Sequence, residues 1–221
     1  MTQAYGQTEC HTLVTMMKPA DHFRDGDITG PMADDTRLSG CGWPTIGTTI
    51  EIRDDEGLVL PAGQPGEICI ASDLAMSGYR GDPDATAATL RDGFVLTGDI
   101  GFLDTDGCLH LIDRKKDLVI SGGFNIYPAE VEAVLRRFPG VADCVVVGLP
   151  DDYWGEVLAA ALIAEPGVTI DTEQLASDLR LELGPVKTPK HFVTVTSFPQ
   201  SGVGKVLKKD VRAELVALLA Q

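Results

Sequence analysis

Residues Leu96–Glu132 read LTGDIGFLDTDGCLHLIDRKKDLVISGGFNIYPAEVE, and their order sets the fold. Thr97-Gly98-Asp99 puts a carboxylate in a tight turn, and Asp106-Gly107 marks a hairpin. Asp113-Arg114-Lys115-Lys116-Asp117 is a charged run with nothing to bury. Gly122-Gly123 follows, then Pro128, which suits the first turn of a helix. Short alternating segments lie before the charged run and helix-period segments after it. Two domains therefore meet here: residues 1–113, β-rich, and residues 114–221, mixed α and β. Around Arg114–Lys116 the run reads as a solvated interdomain loop or as a hinge, because hinges occupy a few residues at element ends. The order makes sense for a nucleotide held at a junction where one domain swivels.

Upstream, Thr48–Arg53 and Glu67–Ala71 alternate apolar and polar residues between Gly, Pro and Asp turns. Phe94–Leu96, Gly101–Leu103 and Leu109–Ile112 read as short strands, and Asp82–Leu90 as a short helix. The set predicts a small β-barrel-like subdomain or meander. Downstream, Pro128–Phe138 has helix period, with Val131, Val134, Leu135 and Phe138 on one face. Ala142–Leu149 and Val157–Ala164 are continuous apolar runs, read as buried strands. Asp171–Leu183 carries capping-box spacing (Asp171, Gln174) and a Gly184-Pro185 stop. His191–Thr196 is a strand and Lys208–Leu219 a terminal helix. The fold class is α+β: a β-barrel-like subdomain followed by a compact α+β domain.

Composition narrows the function classes. The 221 residues carry a formal net charge of −15, which argues against a nucleic-acid partner, since that needs a basic face. No apolar run reaches the ~20 residues of a transmembrane helix. The N-terminus has no basic, apolar signal pattern. Five scattered cysteines without a C-x-x-C point to buried thiols in a reducing compartment, hence the cytoplasm, rather than disulfides or zinc.

Three constellations offer chemistry. Tyr5-Gly6-Gln7-Thr8-Glu9 supplies an aromatic plane, a hydroxyl and a carboxylate suited to a purine, a phosphate and Mg²⁺. Asp99 has two oxygens, enough for both hydroxyls of a ribose, and Arg114 can donate to the same sugar or a phosphate. Gln200–Lys205 (QSGVGK) is not a P-loop, because Pro199 fills the first glycine position and Val206 follows the lysine. It reads instead as a glycine-rich loop presenting Lys205 to developing negative charge. Taken singly, each is more often an ordinary turn or surface lysine.

Taken in order, these segments resemble the acyl-adenylate-forming superfamily of acyl-CoA synthetases, luciferases and peptide-synthetase adenylation domains. The resemblance runs through YGQTE, GCGWPTIG, GEICIASDLAMSGY, LTGDIGFLDTDG, LIDRKKDLVISGGFNIYPAEVE, VVVGLPDDYWGE and FPQSGVGK, from Tyr5 to Lys205. SGGFNIYPAEVE is closest to the CoA synthetases. The resemblance implies that ATP and a fatty or aromatic carboxylic acid form an acyl-adenylate, after which one domain rotates and CoA attacks. It gives Tyr5 adenine stacking, Thr8 a phosphate contact and Glu9 the Mg²⁺. It gives Asp99 the ribose hydroxyls, Arg114 the ribose or phosphate, Lys116 the hinge, Gly122 and Gly123 the CoA path, and Lys205 the catalytic charge. The family's Ser/Thr/Gly-rich phosphate loop does not occur in these residues. The expectation is therefore a C-terminal portion, inactive alone and calling for an N-terminal fragment. The rival readings are a non-catalytic nucleotide- or CoA-binding module or a lid complementing a partner chain, and a fragment of a peptide-synthetase-type adenylation domain.

Overall fold

In the computed structural model, which describes residues 1–219, the chain divides between Lys115 and Lys116 into two compact units. Arg114 and Lys115 thus belong to the first unit, whereas the sequence reading sets the boundary before Arg114. No helix among the described residues is long and apolar enough to cross a membrane.

Unit 1 opens with β1 (Gln3–Gln7) and β2 (His11–Met17). A four-residue helix, α1 (Asp35–Leu38), capped by the Asp34 side chain, leads to β3 (Trp43–Pro44). The three strands form an antiparallel sheet in that order. A second antiparallel sheet takes β4 (Thr48–Arg53), β5 (Gly66–Ser72), β6 (Leu90–Arg91), β7 (Phe94–Leu103) and β8 (Leu109–Arg114). Between β5 and β6 lies α2 (Pro83–Thr89), where Pro83 starts the helix and Asp82 caps it by accepting from the Ala85 N–H. The strands pair as β4-β5-β7-β8, a meander, with β6 beside the start of β7. The meander is open at β4, so of the two forms expected from the sequence it is the one without closure. Inward residues Ile50, Ile52, Ile68, Ile70 and Val95 alternate with outward ones and pack with Tyr5, Cys10 and Val14.

The two short strands expected at Phe94–Leu96 and Gly101–Leu103 are one strand with a bulge. Cys69 pairs with Leu96 and Glu67 with Ile100, so Ile68 alone faces Thr97, Gly98 and Asp99. Extra residues on one strand bend it and re-aim side chains. Gly98 takes φ +67°, a conformation that costs most residues about 1 kcal/mol or more. The Thr97 hydroxyl donates to the Ile68 carbonyl at 2.8 Å, and the Gly98 N–H donates to Glu67 Oε1 at 3.1 Å.

Unit 2 contains β9 (Val119–Ser121), β10 (Phe124–Ile126), α3 (Pro128–Leu135), β11 (Val141–Asp151), β12 (Gly155–Ala164), α4 (Thr172–Leu183), β13 (His191–Thr194) and α5 (Lys208–Leu219). β12 pairs antiparallel with β11 on one side and with β9 and parallel β13 on the other. Alternate residues of the β11–β12 hairpin feed two cores. Cys144, Val146, Leu158, Ala160 and Leu162 meet α3 and α4 residues, while Val145, Val147, Val157 and Ala159 meet Phe198 and α5 residues Val211 and Leu215. Helices on both faces explain why these strands are continuously apolar although antiparallel.

Three details depart from the sequence reading. α3 stops at Leu135 instead of Phe138, because Pro139 disfavours helix in the residue before it. Asp171 caps α4 from Glu173 and Gln174, but the Gln174 side chain turns to Asp178 at 2.8 Å, so the box is half made. β9 and β10 were not expected; Gly122 and Gly123 join them as a two-residue turn with φ +57° and +84°. All five cysteines are free and buried, as expected.

Glu132 of α3 is 6% exposed and ties three elements together. It accepts from the Val146 N–H at 2.9 Å and pairs with Lys208 at 2.9 Å and Arg136 at 3.5 Å. Removing Glu132 takes this partner from the Val146 N–H and from Lys208, while Arg136 keeps Asp143 and the Cys144 carbonyl. Glu132→Ala is expected to lower the stability of unit 2 by about 2 kcal/mol or more. Urea unfolding followed at Trp154 measures it; a change under about 0.5 kcal/mol, the range of ordinary surface substitutions, contradicts the role.

Candidate active site

The β7 bulge aims Asp99 at Tyr5 and Arg114. The Tyr5 hydroxyl donates to Asp99 Oδ2 at 2.7 Å, and Arg114 Nε lies 2.7 Å from Asp99 Oδ1. Arg114 reaches it because β8 pairs with β7 in register, Asp99 opposite Arg114. The Asp99 N–H bonds the Thr97 hydroxyl at 3.0 Å, and Gln7 donates to the Tyr5 hydroxyl at 3.3 Å. Three of the residues singled out from sequence, 94 positions apart at the extremes of one bond, form one cluster.

A cleft of about 450 Å³ opens beside it, lined among others by Glu9, Tyr79, Thr97, Gly98, Arg114 and Lys115. Glu9 sits in the β1–β2 turn, where its Oε1 accepts from the Tyr79 hydroxyl at 2.9 Å. That bond, with a little burial, raises the Tyr79 phenol above its ordinary range. Glu9 makes no ion pair among the described residues, so its carboxylate is available to a cation. Mg²⁺ typically takes one or two carboxylates plus substrate phosphates, and Glu9 fits that demand. Thr8 is exposed in the same turn.

Sequence reasoning passed over Glu67 and Lys115. Glu67 is 8% exposed and holds the Gly98 N–H with one oxygen and Lys115 Nζ, at 2.9 Å, with the other. Lys115 also pairs with Asp55 at 2.9 Å. Burial pushes the Lys115 ammonium down, but its bonds to Asp55 and Glu67 outweigh that and hold its pKa above the usual value. The signal was present: a glutamate opening the apolar run EICIA needs a partner if it is buried.

In unit 2, Lys116 is exposed at the end of β8, in a 3-10 turn over Lys115–Asp117. It borders a pocket whose walls include Glu156 and Arg212, themselves paired at 3.0 Å. A Cβ on Gly122 would lie 2.6 Å from the Trp154 indole, so that space is filled; at Gly123 it is open. Lys205 is exposed in a tight loop, closed by the Ser201 N–H to the Lys205 carbonyl at 2.8 Å.

With this geometry in place, the comparisons identify the class. Residues 1–80 match the AMP-binding enzyme family and residues 130–205 its AMP-binding enzyme C-terminal domain. The chain belongs to this acyl-adenylate-forming superfamily. It is 37% identical to the medium/long-chain-fatty-acid–CoA ligase FadD8 of Mycobacterium tuberculosis, covering 96% of this chain and 36% of that protein. It is 40% identical to a feruloyl-CoA synthase of an Amycolatopsis species, covering 95% and 40% respectively. The amide bond synthetase McbA of Marinactinospora thermotolerans superposes with a TM-score of 0.83 at 38% identity, covering 96% of this chain and 42% of that one. The chain therefore spans well under half the length of these relatives.

The Tyr5–Asp99 bond has a pH signature. Burial first, then the bond to Asp99, raises the Tyr5 phenol far above its ordinary value. A raised folded-state pKa gives stability that is present below the unfolded value, about 10, and lost as pH rises beyond it. Tyr5→Phe is expected to cost about 1–2 kcal/mol at pH 7 and to flatten the alkaline loss of unit 1 stability. Urea midpoints of both proteins from pH 8 to above pH ~10 test this; parallel curves refute it.

Proposed function

We propose that the parent activity is AMP-forming ligation of a carboxylic acid to CoA. The observation that carries this reading is the Tyr5–Asp99–Arg114 cluster beside a cleft with the carboxylate of Glu9, in a chain of this family. A carboxylate with oxygens fixed by a phenol and a guanidinium is preorganised for two ribose hydroxyls, since each oxygen keeps a lone pair. Arg114, whose side chain is 55% exposed, can turn from Asp99 to a phosphate. Tyr5 acts here through its hydroxyl on Asp99; its ring is 8% exposed and offers adenine little face. Thr8 donates to a phosphate, and Glu9 would hold Mg²⁺, which neutralises phosphate charge when bound. ATP and CoA are the co-substrates.

Adenylation is chiefly positioning and charge stabilisation. Lys205 supplies positive charge to the carboxylate–phosphate centre. A hinge at Lys116 lets thiol attack follow as a separate step, and the open Cβ position of Gly123 gives the pantetheine arm its passage. The acid is fatty or aromatic in kind.

The sequence contains no Ser/Thr/Gly-rich phosphate loop, which favours a second reading for the isolated chain: a nucleotide-binding module without turnover. Calorimetry with AMP and a pyrophosphate-release assay with fatty and aromatic acids separate the two. The expected result is AMP binding, weakened by more than about tenfold in Asp99→Asn, with turnover only when an N-terminal fragment is supplied. Unchanged AMP affinity in Asp99→Asn removes the ribose role. In an adenylation-competent assembly, Lys205→Ala is expected to cut acyl-AMP formation by about 100-fold or more while sparing thiol attack on supplied acyl-AMP. Equal loss of both steps contradicts the assignment.

A further inference from the structure

The β7–β8 hairpin carries a cluster that the adenylation chemistry does not use. Asp104, Cys108 and His110 bring a carboxylate oxygen, a sulfur and an imidazole nitrogen within 4.8 Å of one another. Cys108 and His110 are two positions apart entering β8, so both side chains leave the same face. Both are buried, at 2% and 4% exposure. From these positions we infer that the hairpin is a site for one divalent transition ion of the zinc type, held by Asp104, Cys108 and His110.

The surrounding bonds orient all three. Asp104 Oδ1 accepts from the Asp106 and Cys108 N–H groups at 2.9 Å each, which fixes the carboxylate and leaves Oδ2 for His110, 3.1 Å from Nε2. The imidazole is stacked on Phe102, its cross-strand partner, with centroids 4.7 Å apart. Its Nδ1 lies 3.4 Å from Ser39 Oγ. The Ser39 hydroxyl donates to the Thr36 carbonyl at 2.7 Å, so toward His110 its oxygen is an acceptor. Without a metal, His110 Nε2 and Asp104 Oδ2 are joined by a hydrogen bond, and a metal ion on Nε2 would take the place of that proton, with the imidazole hydrogen on Nδ1 toward Ser39. Outer hydrogen bonds commonly set the imidazole tautomer in this way in metal sites. Above the cluster the backbone comes very close: a Cβ on Gly40 would lie 2.6 Å from Cys108 Sγ and 3.3 Å from His110 Cε1.

Tetrahedral zinc, with bonds of about 2.0–2.1 Å to nitrogen and ~2.3 Å to sulfur, needs ligand separations of roughly 3.3–3.7 Å. The Asp104–His110 pair is already that close, and the Cys108 sulfur must turn inward by no more than about 1 Å. Carboxylate, thiolate and neutral imidazole cancel the dication's charge, which a buried site requires. Burial raises the Cys108 thiol above its ordinary value, so binding must displace the proton: the S–H bond breaks, the metal–sulfur bond forms, and the proton goes to solvent.

Cobalt(II) titration of the whole, untagged chain tests the site. The expected result is one ion per chain, with a sulfur-to-cobalt charge-transfer band and the visible bands of four-coordinate cobalt, both erased by added zinc. Asp104→Asn and His110→Gln should each weaken binding by more than about tenfold, a loss that even outer partners of a metal cause. Cys108→Ser should abolish the charge-transfer band, and Cys144→Ser, in unit 2, should leave it intact. Absence of the thiolate band in the unaltered chain overturns the proposal, as does a band that survives Cys108→Ser. If Cys108→Ser does not fold, unchanged affinity in both other variants overturns it.

Discussion

Unit 1 depends on a mismatch of three residues against one. Ile68 of β5 faces Thr97, Gly98 and Asp99 of β7, and the surplus has to leave the ladder. Glu67 makes that departure stable, because its buried carboxylate takes the Gly98 N–H that the ladder no longer satisfies. A buried N–H without a partner costs about 1–3 kcal/mol, so the bulge and the glutamate require each other. Asp99 owes its direction to this pair. Tyr5 and Arg114 then complete its shell from β1 and β8. The direction of the Asp99 carboxylate is thus set by strand register.

The same glutamate reaches Lys115, the last residue of unit 1. Lys115 is held by the carboxylates of Glu67 and Asp55, and Lys116 begins the second unit.

Much of this was legible in the sequence because period and punctuation carried it. The β11–β12 runs, the α2 and α4 caps, and the Asp106-Gly107 hairpin follow from local rules. Asp99, Arg114 and Glu9 were singled out because their motifs come in a recognisable order. Pairing of distant residues was harder to read. The bulge is invisible locally, since Thr97-Gly98-Asp99 looks like a turn until Ile68 is placed opposite it. Glu67 was missed because its partners lie 31 and 48 positions away. The β9–β10 hairpin was missed because its strands are three residues long, and Gly122 was expected to leave space that the distant Trp154 fills. The set Asp104, Cys108 and His110 lacks any standard metal spacing, and only the hairpin brings it together.

The placement of α5 has a consequence for how the chain is made. One face of the β11–β12 hairpin is covered by Val211 and Leu215, and the buried Glu132 waits for Lys208. Both come from the last turns of the described chain, far in sequence from the strands they cover. Long-range contacts of this kind form late. During synthesis, Val145, Val147, Ala159 and Ala161 have only part of their cover, including Phe198, until Val211 and Leu215 of α5 arrive. A chain cut short before Lys208 would present that apolar sheet face to its neighbours, a surface prone to self-association. α5 therefore completes the cover of this sheet face.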